Sequence, residues 1–294
     1  MKQAWAAAML AVLAFAGPSA AQPQADPFNG QFGAMELPLP PAEAARQAQL
    51  LGDALANLAP QRPGQLDVYV LSAGLWSDPV FEREASQAEA ILRDHLGAEG
   101  RTILLSAGLG VAGYERRFPA ASPNNILAAL GRIGALIDPA EDLVVLFLTT
   151  HGSADGSAAL REHDRLQAGL RPVHLRDALA AAGIRNRVVI VSACYSGAFI
   201  APLANDDTIV MTAAAPNRSS FGCQPENDWT FFGDAYFNRA VRGGADMLPA
   251  FDEAKTLIQQ WEGERNLTPP SNPQRYVGAR AAAMLARAER AARQ

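Results

Sequence analysis

The sequence is poor in cysteine and histidine, and it lacks any block of basic residues. It has two cysteines and four histidines among 294 residues. This scarcity excludes a scaffold held by disulfides and argues against a structural zinc site built from Cys and His. Lys and Arg total 25 against 30 Asp and Glu, a net charge of -5, so we expect no nucleic-acid partner. With 49% hydrophobic and 19% charged residues, the composition is that of a folded globular protein.

The first residues have the pattern of an export signal. Lys2 precedes an apolar run over residues 4–16, and small residues follow at 19–21. This pattern predicts a secretory signal peptide over residues 1–21. The run is short for a membrane span, although an uncleaved anchor is the alternative. No later segment has the character of a span, so we expect a mature chain without one, secreted across the inner membrane of a bacterium and periplasmic.

The rest of the chain divides into three parts. A Pro-rich lead-in with one helix covers residues 22–63, and the main domain covers residues 64–262. A Pro-rich stretch then sets apart residues 263–294, which we expect to be a C-terminal extension with a helix.

The main domain alternates short apolar strands with amphipathic helices. Strands that are continuous in Val, Ile and Leu are buried on both faces, as in a parallel sheet covered by helices. The pattern therefore predicts an α/β fold, a three-layer sandwich around a mostly parallel central sheet. The predicted strands are residues 66–71, 102–105, 143–148, 188–192 and 208–212. The predicted helices are residues 80–96, 124–137, 175–182, 229–241, 251–261 and 277–293.

Two of these strands lead to residues with catalytic chemistry. The strand at 143–148 runs to His151, and the strand at 188–192 runs to Cys194. Because a helix connects them, they can be parallel neighbours whose carboxyl ends meet at the sheet edge where ligands bind. An imidazole can take the proton of a nearby thiol, and the thiolate can attack a carbonyl carbon. The alternative is a buried structural cysteine, and the pair alone does not decide between the two.

The backbone beside both residues offers donors for an oxyanion. Gly152 follows the histidine, and Gly197 follows the cysteine closely. Glycine lets backbone N–H groups approach a developing negative charge. We expect the N–H groups of Gly152 and Cys194 to form an oxyanion hole.

Five blocks of the sequence stand in an order that is specific to a known family. They cover a helix, a strand ending in His-Gly, a strand ending in Ala-Cys-x-Ser-Gly, a strand with a loop, and an aromatic-Gly-Asp segment. In chain order they are ASPNNILAAL (121–130), DLVVLFLTTHGSADG (142–156), RVVIVSACYSGAF (187–199), TIVMTAAAPNRSSFGC (208–223) and TFFGDAYF (230–237). Together they resemble the legumain family of cysteine peptidases, within the caspase-like clan.

The resemblance implies a caspase-like fold, no metal and no cofactor, and a peptide or protein substrate cleaved after Asn or Asp. By position, His151 is the general base and Cys194 the nucleophile. Ser219, Ser220 and Asp234 fall where the family builds its primary specificity pocket. Hydroxyls and a carboxylate can together bond a carboxamide side chain.

The chain departs from plant and animal legumains at two places. Ser192 stands two residues before the nucleophile, where they have Glu, and the loop at 75–81 lacks their Arg-His pair. Since an arginine is the usual partner of a carboxylate in such a pocket, these departures leave the preferred residue before the scissile bond open. Cys223 ends the predicted pocket loop, and we expect it to be a free, partly buried thiol.

The predicted function is a cysteine endopeptidase that forms an acyl-enzyme. A transpeptidase on the same scaffold would use the same dyad, with an amine instead of water resolving the acyl-enzyme. A non-catalytic peptide-binding module is an alternative of a different class, because a fold does not determine a function. The absence of a G-x-S-x-G motif disfavours a lipase-type serine hydrolase.

Overall fold

A computed structural model describes residues 35–108 and 117–294. The predicted signal peptide, residues 1–21, lies outside the described residues, as do residues 22–34 of the predicted lead-in. In the described part of the chain, no helix combines the length and the apolar character that crossing a membrane requires.

A six-stranded sheet forms the centre of the protein. The strands of the described residues are β1 (Met35–Glu36), β2 (Val68–Gly74), β3 (Thr102–Ser106), β4 (Leu143–Thr149), β5 (Ala158–Glu162), β6 (Leu166–Leu170), β7 (Arg187–Ser192), β8 (Thr208–Thr212) and β9 (Gln274–Val277). The central sheet has the order β3-β2-β4-β7-β8-β9. Every neighbouring pair is parallel except β8 with β9, so the prediction of a mostly parallel sheet is confirmed.

Successive residues of the central strands pack into two separate cores. On β2, Val68 and Val70 face one side of the sheet, whereas Tyr69 and Leu71 face the other. Every residue of β2 and of β4 is buried. Because side chains alternate between the two faces of a strand, apolar residues at every position make both faces of the sheet apolar.

Helices cover both faces of the sheet. In the described residues they are α1 (Pro41–Ala56), α2 (Pro79–Leu96), α3 (Pro123–Leu136), α4 (Pro172–Ala181), α5 (Ile200–Leu203), α6 (Phe231–Gly233), α7 (Met247–Glu264) and α8 (Ala279–Ala292). Helices α1, α3, α4 and α5 cover one face, and α2, α6, α7 and α8 cover the other. The predicted α/β three-layer sandwich is therefore confirmed.

A π-helical segment replaces part of one predicted helix. Residues 229–241, predicted as a single helix, form the short α6 followed directly by π-helix Asp234–Val241. A π-helix joins residues five apart rather than four, so the side chains that meet on its surface differ from those of an α-helix.

A hairpin that the sequence did not reveal lies beside the sheet edge. Strands β5 and β6 pair antiparallel, and β1 adds to β6, which makes a second sheet of three strands. The sequence analysis missed this hairpin because the charged residues 161–165 are typical of a polar loop. They include the turn: His163 has a φ of 46°, and Arg165 Nε donates to Glu162 Oε1 at 2.6 Å.

Residues 263–294, predicted as an extension, pack with the central sheet. Strand β9 pairs with β8, with Tyr276 opposite Val210. Helix α8 contacts α2, β4 and β8 and buries Ala281 and Leu285 in the core. The sequence did not predict β9, because its residues alternate between half-buried and exposed at the edge of the sheet.

Two glycines on α3 should respond oppositely to alanine. A Cβ at Gly134 would lie 1.9 Å from the carbonyl oxygen of Ala182, just after α4, whereas a Cβ at Gly131 would meet no atom within 4 Å. We expect Gly134→Ala to destabilise the protein by about 1–3 kcal/mol through overpacking. Gly131→Ala should stabilise it by about 0.5–1 kcal/mol, since alanine favours the helix. Urea unfolding measures both, and equal effects would contradict the close approach of α3 to α4.

Candidate active site

The ends of β4 and β7 bring the predicted dyad residues together. Thr149 of β4 pairs in register with Ser192 of β7, and His151 and Cys194 each follow two residues later. The backbones stay close beyond the strands, because a Cβ at Gly152 would lie 1.8 Å from the Cys194 carbonyl oxygen. The structure therefore places the two predicted residues side by side at the carboxyl edge of the sheet.

Three side chains from the loop after β2 and the first turn of α2 hold the His151 ring. Trp76 and Phe81 contact it edge to face, with ring centroids 4.8 and 5.0 Å away. A carboxylate oxygen of Asp78 lies 3.5 Å from His151 Nε2. Asp78 occupies the N-cap position of α2 but makes no capping hydrogen bond with its side chain, so its carboxylate is available to the imidazole. The sequence signal for this role was the Ser-Asp-Pro helix start, which our sequence analysis did not use.

The Cys194 sulfur rests against the loop that carries the predicted pocket. The Ser220 N–H donates to Sγ at 3.2 Å, and the Ser220 hydroxyl and carbonyl oxygens each lie 3.6 Å from Sγ. An N–H directed at sulfur is the kind of hydrogen bond that becomes stronger when the thiol ionises. The side chain of Cys194 is half-buried, so it keeps an open side.

A strained turn follows the cysteine. Tyr195 has a φ of 59°, in the left-handed region, which costs a residue with a Cβ on the order of 1 kcal/mol. Its N–H donates to the Arg218 carbonyl at 2.7 Å. The strand thus ends abruptly, and Cys194 lies at the apex of the turn.

The predicted oxyanion donors lie next to each other. Among the described residues, neither the Gly152 N–H nor the Cys194 N–H donates to an acceptor. Unpaired N–H groups at a site edge are suited to an oxygen that acquires negative charge during a reaction. The lack of space for a Cβ at Gly152 also explains why glycine occupies this position.

The structure does not bring all the predicted pocket residues together. Ser220 contacts the cysteine sulfur and Ser219 directly precedes Ser220, but Asp234 lies in a separate cavity of about 330 Å³. That cavity is lined by Asn227, Asp228, Trp229, Thr230, Phe231, Asp234, Arg239, Trp261 and Arg265. Asp234 accepts from Asn238 Nδ2 at 2.6 Å and pairs with Arg239 at 3.1 Å. The π-helical spacing places Arg239, five residues on, beside this carboxylate, and the sequence analysis did not foresee that partner.

A buried glutamate that the sequence analysis missed lies beneath the dyad. Glu84 of α2 accepts hydrogen bonds from Thr149 Oγ1 at 2.6 Å and Thr230 Oγ1 at 2.8 Å. Ser192 Oγ lies 3.4 Å from the same carboxylate. Burial raises the pKa of Glu84 to about 7, against the lowering effect of these hydroxyl donors. The sequence signal was a charged residue on the apolar face of α2, one turn after Phe81.

The second cysteine is also a free, half-buried thiol, as expected. Burial is the main cause that raises the pKa of Cys223, and the neighbouring Cys194 adds to it. The two thiols are therefore close enough to interact electrostatically while differing in their surroundings.

A second group of ionisable side chains lies away from the dyad. Ligand-type atoms of His95, Asp246 and Glu289 all lie within 4.8 Å of one another, a grouping that the spacing along the sequence does not show. His95 Nε2 lies 3.2 Å from Glu289, which also accepts from the Met247 N–H at 2.7 Å. Asp246 pairs with Arg293. These bonds tie α8 to α2 and to the start of α7.

The raised pKa of Glu84 predicts a specific pH dependence of stability. The folded protein holds a proton on this carboxyl up to about pH 7, whereas the unfolded chain releases it near pH 4.5. The contribution of this proton to the free energy of unfolding is fully present below about pH 4.5. It is lost as the pH rises through about 7. The full effect corresponds to about 3 kcal/mol. Urea unfolding should show Glu84→Gln gaining up to that amount over the wild type between about pH 4.5 and 8, and a constant difference would contradict the assignment.

Comparisons with known proteins place the chain in a family. The model of the Peptidase C13 family matches residues 124–286, more than half of the chain. No curated protein sequence matches. The crystal structure of caspase-1 from Spodoptera frugiperda is similar over 73% of this chain and 86% of its own, at 10% identity and a TM-score of 0.48. The family match includes the ends of both β4 and β7. The chain therefore belongs to the Peptidase C13 family, the legumain family of cysteine peptidases.

Proposed function

We propose that this chain is a cysteine endopeptidase in which Cys194 is the nucleophile and His151 the general base. The observation that carries the proposal is the in-register pairing of β4 with β7, which packs Gly152 against the backbone of Cys194. Membership of a cysteine peptidase family supports the same reaction.

The reaction begins with transfer of the Cys194 thiol proton to His151. The carboxylate of Asp78 lies near Nε2, so a hydrogen on Nε2 leaves Nδ1 free to accept the proton. The thiolate attacks the carbonyl carbon of the scissile bond. The carbonyl oxygen becomes negative and accepts hydrogen bonds from the N–H groups of Gly152 and Cys194.

The remaining steps return the site to its starting state. The imidazolium of His151 donates its proton to the leaving amine as the C–N bond breaks, and a thioester to Cys194 remains. A water molecule then gives a proton to His151 and attacks the thioester, which releases the acid and restores the thiol. An amine in place of water would yield a transpeptidation product, and product masses with an added amine distinguish the two outcomes.

The loop around Ser220 is our proposed contact for the residue before the scissile bond. Ser220 contacts the proposed nucleophile, Ser219 directly precedes Ser220, and both are half-buried rather than covered. Asp234 lies in the neighbouring cavity with its charge offset by Arg239. We propose that Asp234 affects substrates only where they extend into that cavity.

Replacing Cys194 by alanine should abolish peptide cleavage. The thiol is the proposed nucleophile, and alanine fits the space without strain. Iodoacetamide should label Cys194 faster than Cys223, because burial raises the pKa of Cys223 and because Cys194 is the proposed partner of the His151 imidazole. Mass spectrometry of time points measures both rates.

The matched control is Cys223→Ala, which should keep peptide cleavage close to that of the wild type. Full cleavage activity in Cys194→Ala, or faster labelling of Cys223, would show that the assigned dyad is wrong.

A positional peptide library should separate the roles of the predicted pocket residues. We expect Ser220→Ala to change the profile of residues accepted before the scissile bond, because Ser220 touches the nucleophile. Asp234→Asn should change that profile less, since Arg239 already pairs with its carboxylate. The reverse order of effects would place Asp234 in the primary pocket and overturn our assignment of the loop.

A further inference from the structure

We propose that Glu84 is a positioning residue, whose carboxyl group holds the ends of β4 and β7 and the start of α6 in the arrangement that the dyad needs. This inference rests on the proposed peptidase function. Glu84 does not touch the substrate; it acts through the residues that it bonds.

Two of its bonds lead directly to the dyad strands. Thr149 donates to Glu84 at 2.6 Å and stands two residues before His151. Ser192, whose hydroxyl lies 3.4 Å from the carboxylate, stands two residues before Cys194. One side chain thus bridges the two strands directly beneath the residues that must meet.

A third bond leads to the loop that contacts the nucleophile. Thr230 donates to Glu84 at 2.8 Å and accepts from the Gly233 N–H at 3.1 Å, which caps α6. The next residue, Phe231, donates its N–H to the carbonyl of Phe221 at 3.0 Å. Phe221 directly follows Ser220, whose N–H donates to the Cys194 sulfur. The carboxyl group of Glu84 therefore also supports the loop that contacts the nucleophile.

The surroundings are built closely around this carboxyl group. A Cβ at Gly233 would lie 1.9 Å from Glu84 Oε1, so only glycine leaves room for it. One turn earlier on α2, Phe81 contacts the ring of His151. The same face of α2 therefore touches the imidazole and both strand ends.

A stabilising role does not explain a carboxyl group at this position. Burial disfavours its charged form, as the raised pKa of Glu84 shows. Well-packed apolar residues usually serve stability as well as a buried polar network or better. A network of this kind does hold its members in one geometry when every hydroxyl has a partner, and that is the property a dyad requires.

In the part of the chain that the structure describes, the groups that bond the carboxyl are uncharged. They are the hydroxyls of Thr149 on β4, Ser192 on β7 and Thr230 at α6. The ionised form of Glu84 raises the pKa of the Cys223 thiol slightly. Burial, Cys194 and Asp78 each contribute more to that rise.

The charged neighbours of Glu84 on its own helix bond elsewhere. Glu82 accepts from Ser106 Oγ at 2.6 Å, and Arg83 Nε donates to the Asn227 carbonyl at 3.1 Å. Glu82 is likewise buried, and within residues 35–108 and 117–294 its carboxylate makes no bond to β4 or β7, which makes it a matched control.

The test compares Glu84→Ala, Glu84→Gln and Glu82→Gln in the full chain. We expect Glu84→Ala to lower kcat by about a hundredfold with KM within about twofold, because the reacting groups are misplaced but substrate contacts remain. Glu84→Gln keeps a hydrogen-bonding group of the same shape and should recover most of that loss. Glu82→Gln should leave both constants within about twofold of the wild type.

A second measurement does not depend on peptide cleavage. The rate of iodoacetamide alkylation of Cys194 reports whether the imidazole still activates the thiol. It should fall in Glu84→Ala, as we also expect in a His151→Ala reference, and stay near the wild-type rate in Glu82→Gln. If Glu84→Ala does not fold, Thr149→Val removes one arm of the network without changing side-chain volume and should lower the alkylation rate.

Two results would overturn the proposal. One is wild-type kcat and alkylation rate in Glu84→Ala, or in Thr149→Val where that variant replaces it. The other is a loss of kcat and alkylation rate in Glu82→Gln as large as that in Glu84→Ala. That result would mean that any change to a buried carboxyl group on α2 impairs the site. A wild-type chain that alkylates rapidly but cleaves no peptide would refute the proposed function alone, and the alkylation series would still decide the role of Glu84.

Discussion

The pairing of β4 with β7 is the constraint on which the rest of the site depends. Parallel neighbours in register end at the same level of the sheet, so residues at equal distances past their last pair leave the sheet side by side. Thr149 and Ser192 form that last pair, and His151 and Cys194 are the residues that follow. The covering helices supply the buried apolar area that keeps the two strands together.

Helix α2 connects this pairing to the chemistry. It starts at a proline directly after Asp78, whose carboxylate approaches the imidazole, and its first turn contributes Phe81 to the same ring. One turn later Glu84 interrupts the apolar face with a carboxyl group under both strands. A helix whose apolar face packs on the sheet thus also carries polar groups that approach His151 and bond the ends of both strands.

Parts of the chain that are distant in sequence complete the sandwich. Strand β9 closes the sheet edge beside β8, and α8 fills the face next to α2. On the other side of the site, the β5–β6 hairpin joins the loop after the histidine through a bridge between Gly152 and Ala158. Elements from distant parts of the chain therefore pack around the site, in addition to the two strands that carry His151 and Cys194.

The sequence by itself determined five parallel strands of the central sheet and the α/β class, and it singled out His151 and Cys194 as the proposed dyad. The strands and the class follow from local rules, since continuous apolar runs bury both faces of a strand. The dyad also needed the family resemblance, because two residues at one sheet edge do not by themselves define a cysteine nucleophile. Only the tertiary structure decided what surrounds the dyad. Glu84 lies 3.4 Å from the Ser192 hydroxyl although the two residues are 108 positions apart in the sequence. Asp234 pairs with Arg239 because of a π-helical turn, which no periodicity of the sequence indicated. Contacts of this kind depend on how elements pack and on local helical geometry, and residue spacing along the chain carries no information about them.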